Sequence, residues 1–532
     1  MRKKSSLQPQ KAAQKQATVA PARGKRRLLP VLPIFFVLTW IWASWYYASV
    51  FYISREYSFW VADTRIMEFI LSQPYGILRY LGRAMLQLYK YPWLGGLLLA
   101  LVLSAGSWLT GYCMRLRASW RSIQYLPALF YMVAVTYYGL DIFFEARTGL
   151  IFGIPFVVLV VLCIWGVTIR SFSRKPVPAV IGVPRDETPR QNILQFAVIV
   201  LSMAAIIGFD QWKRPYVRVI CQLLDMEYRQ DWAGIQKLAR ANATMSNRPM
   251  ACSYAISLVQ TGQVAERLFD IRMDYDSLYI HGMDNKHNNA SCLYVPEGNY
   301  YGGFVESAQH ACMEQMVMNG PTIRLLKLQI KCALMREEWE LADKYLTMLR
   351  RVPFEDAFCT KYGAMLRRID LVNADPEMAM IRLTEPIHNS FENQYQQPLF
   401  MGYNLMLVEG RSSNALINSL VVCLYTKLMP QFVERLEPLI GTTPPSIIMD
   451  GIMLAENKNP GISRNFTGLN YRQPQLQSFL ESTRPYMKDR PGYAYELFPR
   501  YKGYYPYYYF FGNLKATKKG YTSLSSSNSG VN

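Results

Sequence analysis

Up to Phe209 the chain alternates long apolar runs with polar loops, and beyond it apolar positions recur only in short helical stripes. Five runs precede that boundary: Leu28–Ile53, Trp93–Met114, Ile123–Phe144, Phe152–Ile169 and Ile193–Phe209. A hydrocarbon core of roughly 30 Å needs about 20 apolar residues in a helix, so residues 28–209 are expected to form a five-helix transmembrane region. The last run is short and would also suit a buried core helix. Trp40, Trp42, Trp45, Tyr46, Tyr47, Phe51 and Tyr52 crowd the second half of the first run, as an interfacial belt would require. Between the first two runs, Ile66, Phe69, Ile70, Ile77, Leu81, Met85 and Leu88 keep a helical period. That pattern predicts a surface-lying amphipathic segment over Arg55–Tyr91, broken at Pro74.

After Asp210 the pattern becomes pairs of short helices. Val217–Tyr228 pairs with Asp231–Ala241, and Cys252–Thr261 pairs with Gln263–Phe269 around Gly262. Thr322–Met335 pairs with Glu337–Arg351, where Trp339, Ala342, Tyr345, Leu346 and Leu349 share one face. Trp232 holds the place of Trp339 in its own pair. Pairs at a period of about 34 residues, with Trp, Ala and a closing Pro, predict tetratricopeptide-like repeats over residues 210–490, in degenerate form. A polar insertion, Asp274–Asn299, interrupts them. Asp375–Thr384, Gln397–Val408, Ser412–Leu428 and Met429–Leu439 are further expected helices, and beyond Pro444 the pattern weakens. The fold class is therefore all-α. Residues 491–512 are rich in rings, and Tyr504, Tyr505, Tyr507 and Tyr508 either cap the last repeat, lie on the membrane interface or bind a ligand such as a sugar face. The terminal stretches 1–27 and 513–532 lack periodicity and are expected to be disordered.

Charge changes the picture in one respect. The net charge of +20 suggests nucleic acid, but residues 1–209 carry 23 Lys/Arg against 7 Asp/Glu, and the remainder carries 35 against 31. The excess belongs to the membrane half, so nucleic acid is not an expected partner. The tail before the first run and the loops after the second and fourth hold nine, three and five Lys/Arg, while the intervening loops are nearly balanced. The positive-inside rule then puts the N-terminus in the cytoplasm and residues 210 onward outside it, in the periplasm if the membrane is a bacterial inner membrane. One span more or fewer would invert this.

Chemical motifs are sparse. No G-x-S-x-G, H-E-x-x-H, Walker A or G-x-G-x-x-G occurs, and only four histidines are present. His281, Asp284 and His287 have ligand-like spacing, but Gly282 and the asparagines around them argue for a loop, so no metal or other cofactor is expected. The nine cysteines show no C-x-x-C and read as small buried hydrophobes. Asp63, just after the first run, stands where multispanning lipid-carrier-dependent glycosyltransferases place a catalytic acid. An enzyme would need Asp63 to converge with Glu56 or Glu68 in a water-filled pocket; otherwise Asp63 simply caps a helix. The enzyme is the less favoured reading.

QPYGILRYLGRAMLQLYKYPWLGGLLLA, CSYAISLVQTGQVAERLFDI, GPTIRLLKLQIKCALMREEWELADKYLTMLRRVPF and the closing YYPYYYFF together resemble an uncharacterised family of Bacteroidota inner-membrane proteins, a domain of unknown function. The resemblance implies N-terminal spans and a C-terminal tetratricopeptide-like region, and supplies no activity. The expected function is a scaffold anchored in the lipid bilayer, presenting helical repeats to an unknown protein or cell-envelope partner.

Overall fold

The computed structural model describes residues 30–138, 149–172, 188–213, 215–245, 248–273, 295–385, 412–425 and 427–512. These residues form helices and turns, with no strand among them. The predicted tails 1–27 and 513–532, the His281–His287 stretch and the helix expected over Gln397–Val408 lie outside them.

The first run is not a straight span. Helix α1 (Val31–Ile41) passes through a π-helical turn, Trp42–Tyr46, into α2 (Ala48–Glu56), and the chain bends by 62°. The bend turns most of the rings inward, which corrects the expected interfacial belt. Trp42 stacks on Tyr47 at 5.4 Å between ring centroids, Phe51 meets Tyr89 and Phe152, and all five rings are buried. Only Trp45 stands mostly in the open. The ring-rich half is thus the core of the membrane-side bundle.

Helices α3 (Thr64–Ser72) and α4 (Gly76–Gln87) follow, separated at Pro74 as expected, with Tyr75 in the left-handed region at φ 59°. Then come α5 (Pro92–Cys113), α6 (Leu126–Tyr138), α7 (Leu150–Phe172) and α8 (Pro189–Lys213). Three of these, α5, α7 over Leu150–Ile169 and α8, are long and apolar enough to cross a membrane, and the bent α1–α2 pair makes a fourth if it counts as one span. The expected third span is seen only as α6, since residues 139–144 lie outside the described set. Val160, Val161, Ile164 and Val167 of α7 and Leu194 and Leu201 of α8 are exposed, an apolar surface suited to hydrocarbon. Helix α4 does more than lie on a surface: it crosses α7 closely. A Cβ on Gly82 would fall 1.7 Å from the Gly149 carbonyl oxygen, and one on Gly153 1.9 Å from that of Leu78, so only glycine permits this approach.

Beyond α8 the chain folds into helix hairpins. They pair α9 (Pro215–Tyr228) with α10 (Trp232–Ala241), α11 (Arg248–Gln260) with α12 (Val264–Arg267), α13 (Val295–Tyr301) with α14 (Val305–Asn319), and α15 (Ile323–Met335) with α16 (Trp339–Leu349). Shorter helices follow: α17 (Asp356–Gly363), α18 (Ile369–Ala374), α19 (Pro376–Arg382), α20 (Ser413–Tyr425) and α21 (Met429–Glu434). One turn recurs. Gln230, Gly262, Gly303, Glu337 and Lys427 all adopt positive φ, and the next N–H in each case donates 2.8 Å to the carbonyl five residues back. This is the Schellman stop, which satisfies the otherwise orphaned carbonyls of the first helix and reverses the chain into the second. Of the expected interruption, Val295–Asn299 is helical despite its Pro and Gly and belongs to the α13–α14 pair, and residues 274–294 lie outside the described set. Trp339 packs against the core while remaining half-buried.

The C-terminal part adds α22 (Ser446–Ala455), α23 (Arg472–Thr483), α24 (Arg490–Tyr501) and α25 (Tyr505–Phe511). Helix α25 folds back on the middle of the chain. Tyr508 stacks on Phe269 at 4.5 Å and on Tyr425 at 5.8 Å, and the Gly503 N–H donates 2.9 Å to the Phe269 carbonyl. None of the eight described cysteines forms a disulfide, and seven of them are buried.

The boundary near residue 210 does not separate two independent cores. Residues 50–59 and Val61 are all buried. Phe59 and Val61 belong to the same apolar cluster as α11 and α15, and the Ile323 N–H donates 3.0 Å to the Ser58 carbonyl. Conversely, Val217, Ile220, Cys221 and Leu224 of α9 pack into the cluster of the membrane-side rings. The segment leaving α2 is threaded through the helical domain.

Candidate functional site: a charged cavity at the junction

Helix α2 ends in two charges, Arg55 and Glu56, whose side chains are 0% and 1% exposed. Ions this deep persist only when paired, because desolvation costs each several kcal/mol. Their partners come from distant parts of the chain. The Arg55 guanidinium lies 2.8 Å from Glu56 and 2.7 Å from Glu355, and donates 2.9 Å to the Pro353 carbonyl. Lys327, on α15, reaches Glu56 at 2.9 Å and Glu355 at 3.1 Å. Lys90, in the turn before α5, lies 3.3 Å from Glu355. Three cations thus share two carboxylates. Burial, and then the neighbouring Lys327, push the Lys90 ammonium below its ordinary range.

Further pairs flank this group. Arg324 binds Glu297 and donates 2.7 Å to Gln315, Lys331 lies 2.9 Å from Glu377, and Arg229 lies 2.8 Å from Asp225. Arg324, Lys327 and Lys331 follow the three- and four-residue spacing that stacks side chains on one face of α15. Burial works against the Lys331 charge, but Glu377 holds the ammonium above its usual range. Glu227 is different. It accepts a 3.4 Å hydrogen bond from Ser253, and burial followed by the nearby Glu297 charge pushes its carboxyl up to about 8.

Eight of these charged groups line a cavity of about 470 Å³. Glu56, Glu297 and Glu355, with Lys90, Arg229, Arg324, Lys327 and Lys331, form its polar wall, and Tyr52, Tyr91, Tyr301 and Phe358 contribute rings. The half-exposed Tyr91 and the 59% exposed Arg229 side chain stand towards solvent. Tyr91 is also the N-cap of α5, so the cavity opens where a candidate span begins.

Of the acids singled out from sequence, only Glu56 lies here. Asp63 caps α3, accepting from the Arg65 and Ile66 N–H groups at 2.9 and 3.4 Å, with Arg351 at 3.5 Å. Glu68 is exposed. The three do not converge. The tyrosine candidates also require correction as open binding rings. Tyr505 and Tyr508 are buried, and their hydroxyls donate 2.9 Å to the carbonyls of Leu424 and Tyr425. Tyr507 is buried with its hydroxyl on the Ala494 carbonyl, and Tyr504 packs edge-on to Phe479. These rings fasten α25 to the domain, with Tyr505, Tyr507 and Tyr508 buried and Tyr504 partly buried. Among the described residues no group of three or more His, Cys, Asp or Glu is arranged to hold a metal. Lys90, Lys327 and Glu355 escaped the sequence reading because charges in turns and on amphipathic helices ordinarily face water.

The fold and cavity define an all-helical protein with apolar membrane-length helices joined through a shared core to a domain of helix hairpins. The chain belongs to a family of unknown function, DUF6057, whose model matches residues 25–185 and 142–512. No curated protein and no solved structure matches it.

The Glu227 environment yields a pH test. The unfolded carboxyl titrates near 4.5 and the folded one near about 8, so between those values only the folded state holds the proton. The stability this proton contributes is complete below about pH 4.5 and is lost as pH rises through about 8. Glu227→Gln keeps the shape without the titration, so its denaturation midpoint should fall less than the parent's between those limits. Parallel profiles would show that Glu227 titrates normally.

Proposed function

We propose that this protein is a membrane-anchored helical-repeat scaffold whose junction cavity binds a cell-envelope component or a protein partner. The observation that carries the reading is the cavity itself: both halves of the chain build it, it opens beside the start of α5, and its wall is richer in cations than in carboxylates. The recurring Schellman-turned hairpins, with most successive turns about 30 to 40 residues apart, support tetratricopeptide-like geometry for the helical domain. The distribution of Lys and Arg supports a cytoplasmic N-terminus and a periplasmic helical domain in a bacterial inner membrane. A transferase has less support, because Asp63 is engaged in capping and Glu56 is held between Arg55 and Lys327.

Topology is tested with a reporter active only outside the cytoplasm. Fused after Asn532 it should be active, and fused after Ser173 inactive; the opposite pair of results would invert the orientation. The site is tested by complementing a deletion strain at matched membrane abundance. Asp63→Asn should complement, since asparagine caps a helix as well as aspartate. Lys90→Gln should fail. Failure of Asp63→Asn with success of Lys90→Gln would favour the enzyme over the scaffold.

A further inference from the structure

The cavity has a charge balance that narrows what it can hold. Its wall and the partners of its wall contain six cations, Arg55, Lys90, Arg229, Arg324, Lys327 and Lys331. Against them stand five carboxylates, Glu56, Asp225, Glu297, Glu355 and Glu377. Glu227, which keeps its proton up to about pH 8, adds no charge at neutral pH. Among the described residues one positive charge is therefore left over, at a site whose mouth faces solvent. The surplus falls where, among the described residues, Arg55, Lys90 and Lys327 pair with Glu56 and Glu355.

We propose that this cavity binds a phosphodiester, one negative charge flanked by two ester-linked groups. The inference rests on the scaffold reading above and names its ligand class. A phosphodiester carries a single charge that does not titrate near neutral pH, matching the surplus of one. Lys90, Lys327 and Arg229 line the cavity from three separate elements, and cations placed on several sides suit the spread oxygens of a tetrahedral anion. A volume of about 470 Å³ leaves room for the flanking groups, and Tyr52, Tyr91, Tyr301 and Phe358 offer rings to their apolar or sugar faces. Two sources supply this chemistry: a phospholipid headgroup entering beside α5, or a water-soluble diester.

The test uses the full-length protein in a maltoside micelle, which contains no phosphate. Tyr91→Cys places a thiol at the mouth, and its labelling rate by a charged maleimide is read at residue 91 by mass spectrometry. The probes are glycerophosphoglycerol, short-chain phosphatidylglycerol and acetate. Protection of about fivefold or more is expected near ten times the dissociation constant. Protection by glycerophosphoglycerol supports the proposal with a soluble source. Protection only by the short-chain lipid supports it with a headgroup source, provided that adding Lys90→Gln abolishes the effect. Equal protection by acetate, or none by either diester, overturns the phosphodiester while leaving an accessible cavity in place. A cysteine that never labels overturns the cavity, and the scaffold reading built on it, as well.

Discussion

The Arg55–Glu56–Glu355–Lys327 cluster is the interaction on which the arrangement of the molecule depends. Four ions from the end of α2, from α15 and from the turn before α17 meet out of water, and none could stay there alone. Coulomb attraction in such surroundings is strong only with close geometry, and here each carboxylate lies within 3.3 Å of two or more cations. A pair like this contributes little net stability over a well-packed apolar alternative, but it is specific. The docking of the membrane helices on the helical domain brings these four groups together.

The remaining contacts follow from that docking. Once α2 ends inside the domain, Phe59 and Val61 join the apolar cluster that includes residues of α11 and α15. Helix α9 continues from α8 and returns its apolar face to the rings of the first run. The cavity is what remains where charged walls meet and side chains cannot fill the gap. Its surplus cation is thus a consequence of the same cluster that holds the two halves together.

Much of the architecture was legible from residue order alone. The helix pairs around Gly262 and Glu337 and the break at Pro74 follow from local rules, and the structure has them. The bent first helix was not legible, because a run of apolar and aromatic residues reads the same whether its rings face lipid or protein. Nor was most of the site. Glu56 drew attention as an acid after the first run, but its partners are Arg55 and Lys327, which it shares with Glu355, and nothing local marks Lys327 or Glu355 as buried. For Tyr505 and Tyr508 the readings of cap, interface and binding rings stayed open, because composition does not reveal that a backbone carbonyl already occupies each hydroxyl.

The most direct measurement of the account is denaturant unfolding of the full-length protein in detergent, comparing the parent with Glu355→Ala. Removing this carboxylate leaves Arg55, Lys90 and Lys327 facing Glu56 alone, and breaking a buried pair from one side costs about 3–5 kcal/mol. The account predicts a loss of that size, together with lowered protection from hydrogen exchange in both α2 and α15. An unchanged midpoint with unchanged exchange would mean that apolar packing alone joins the two halves, and would contradict the central place given to this cluster.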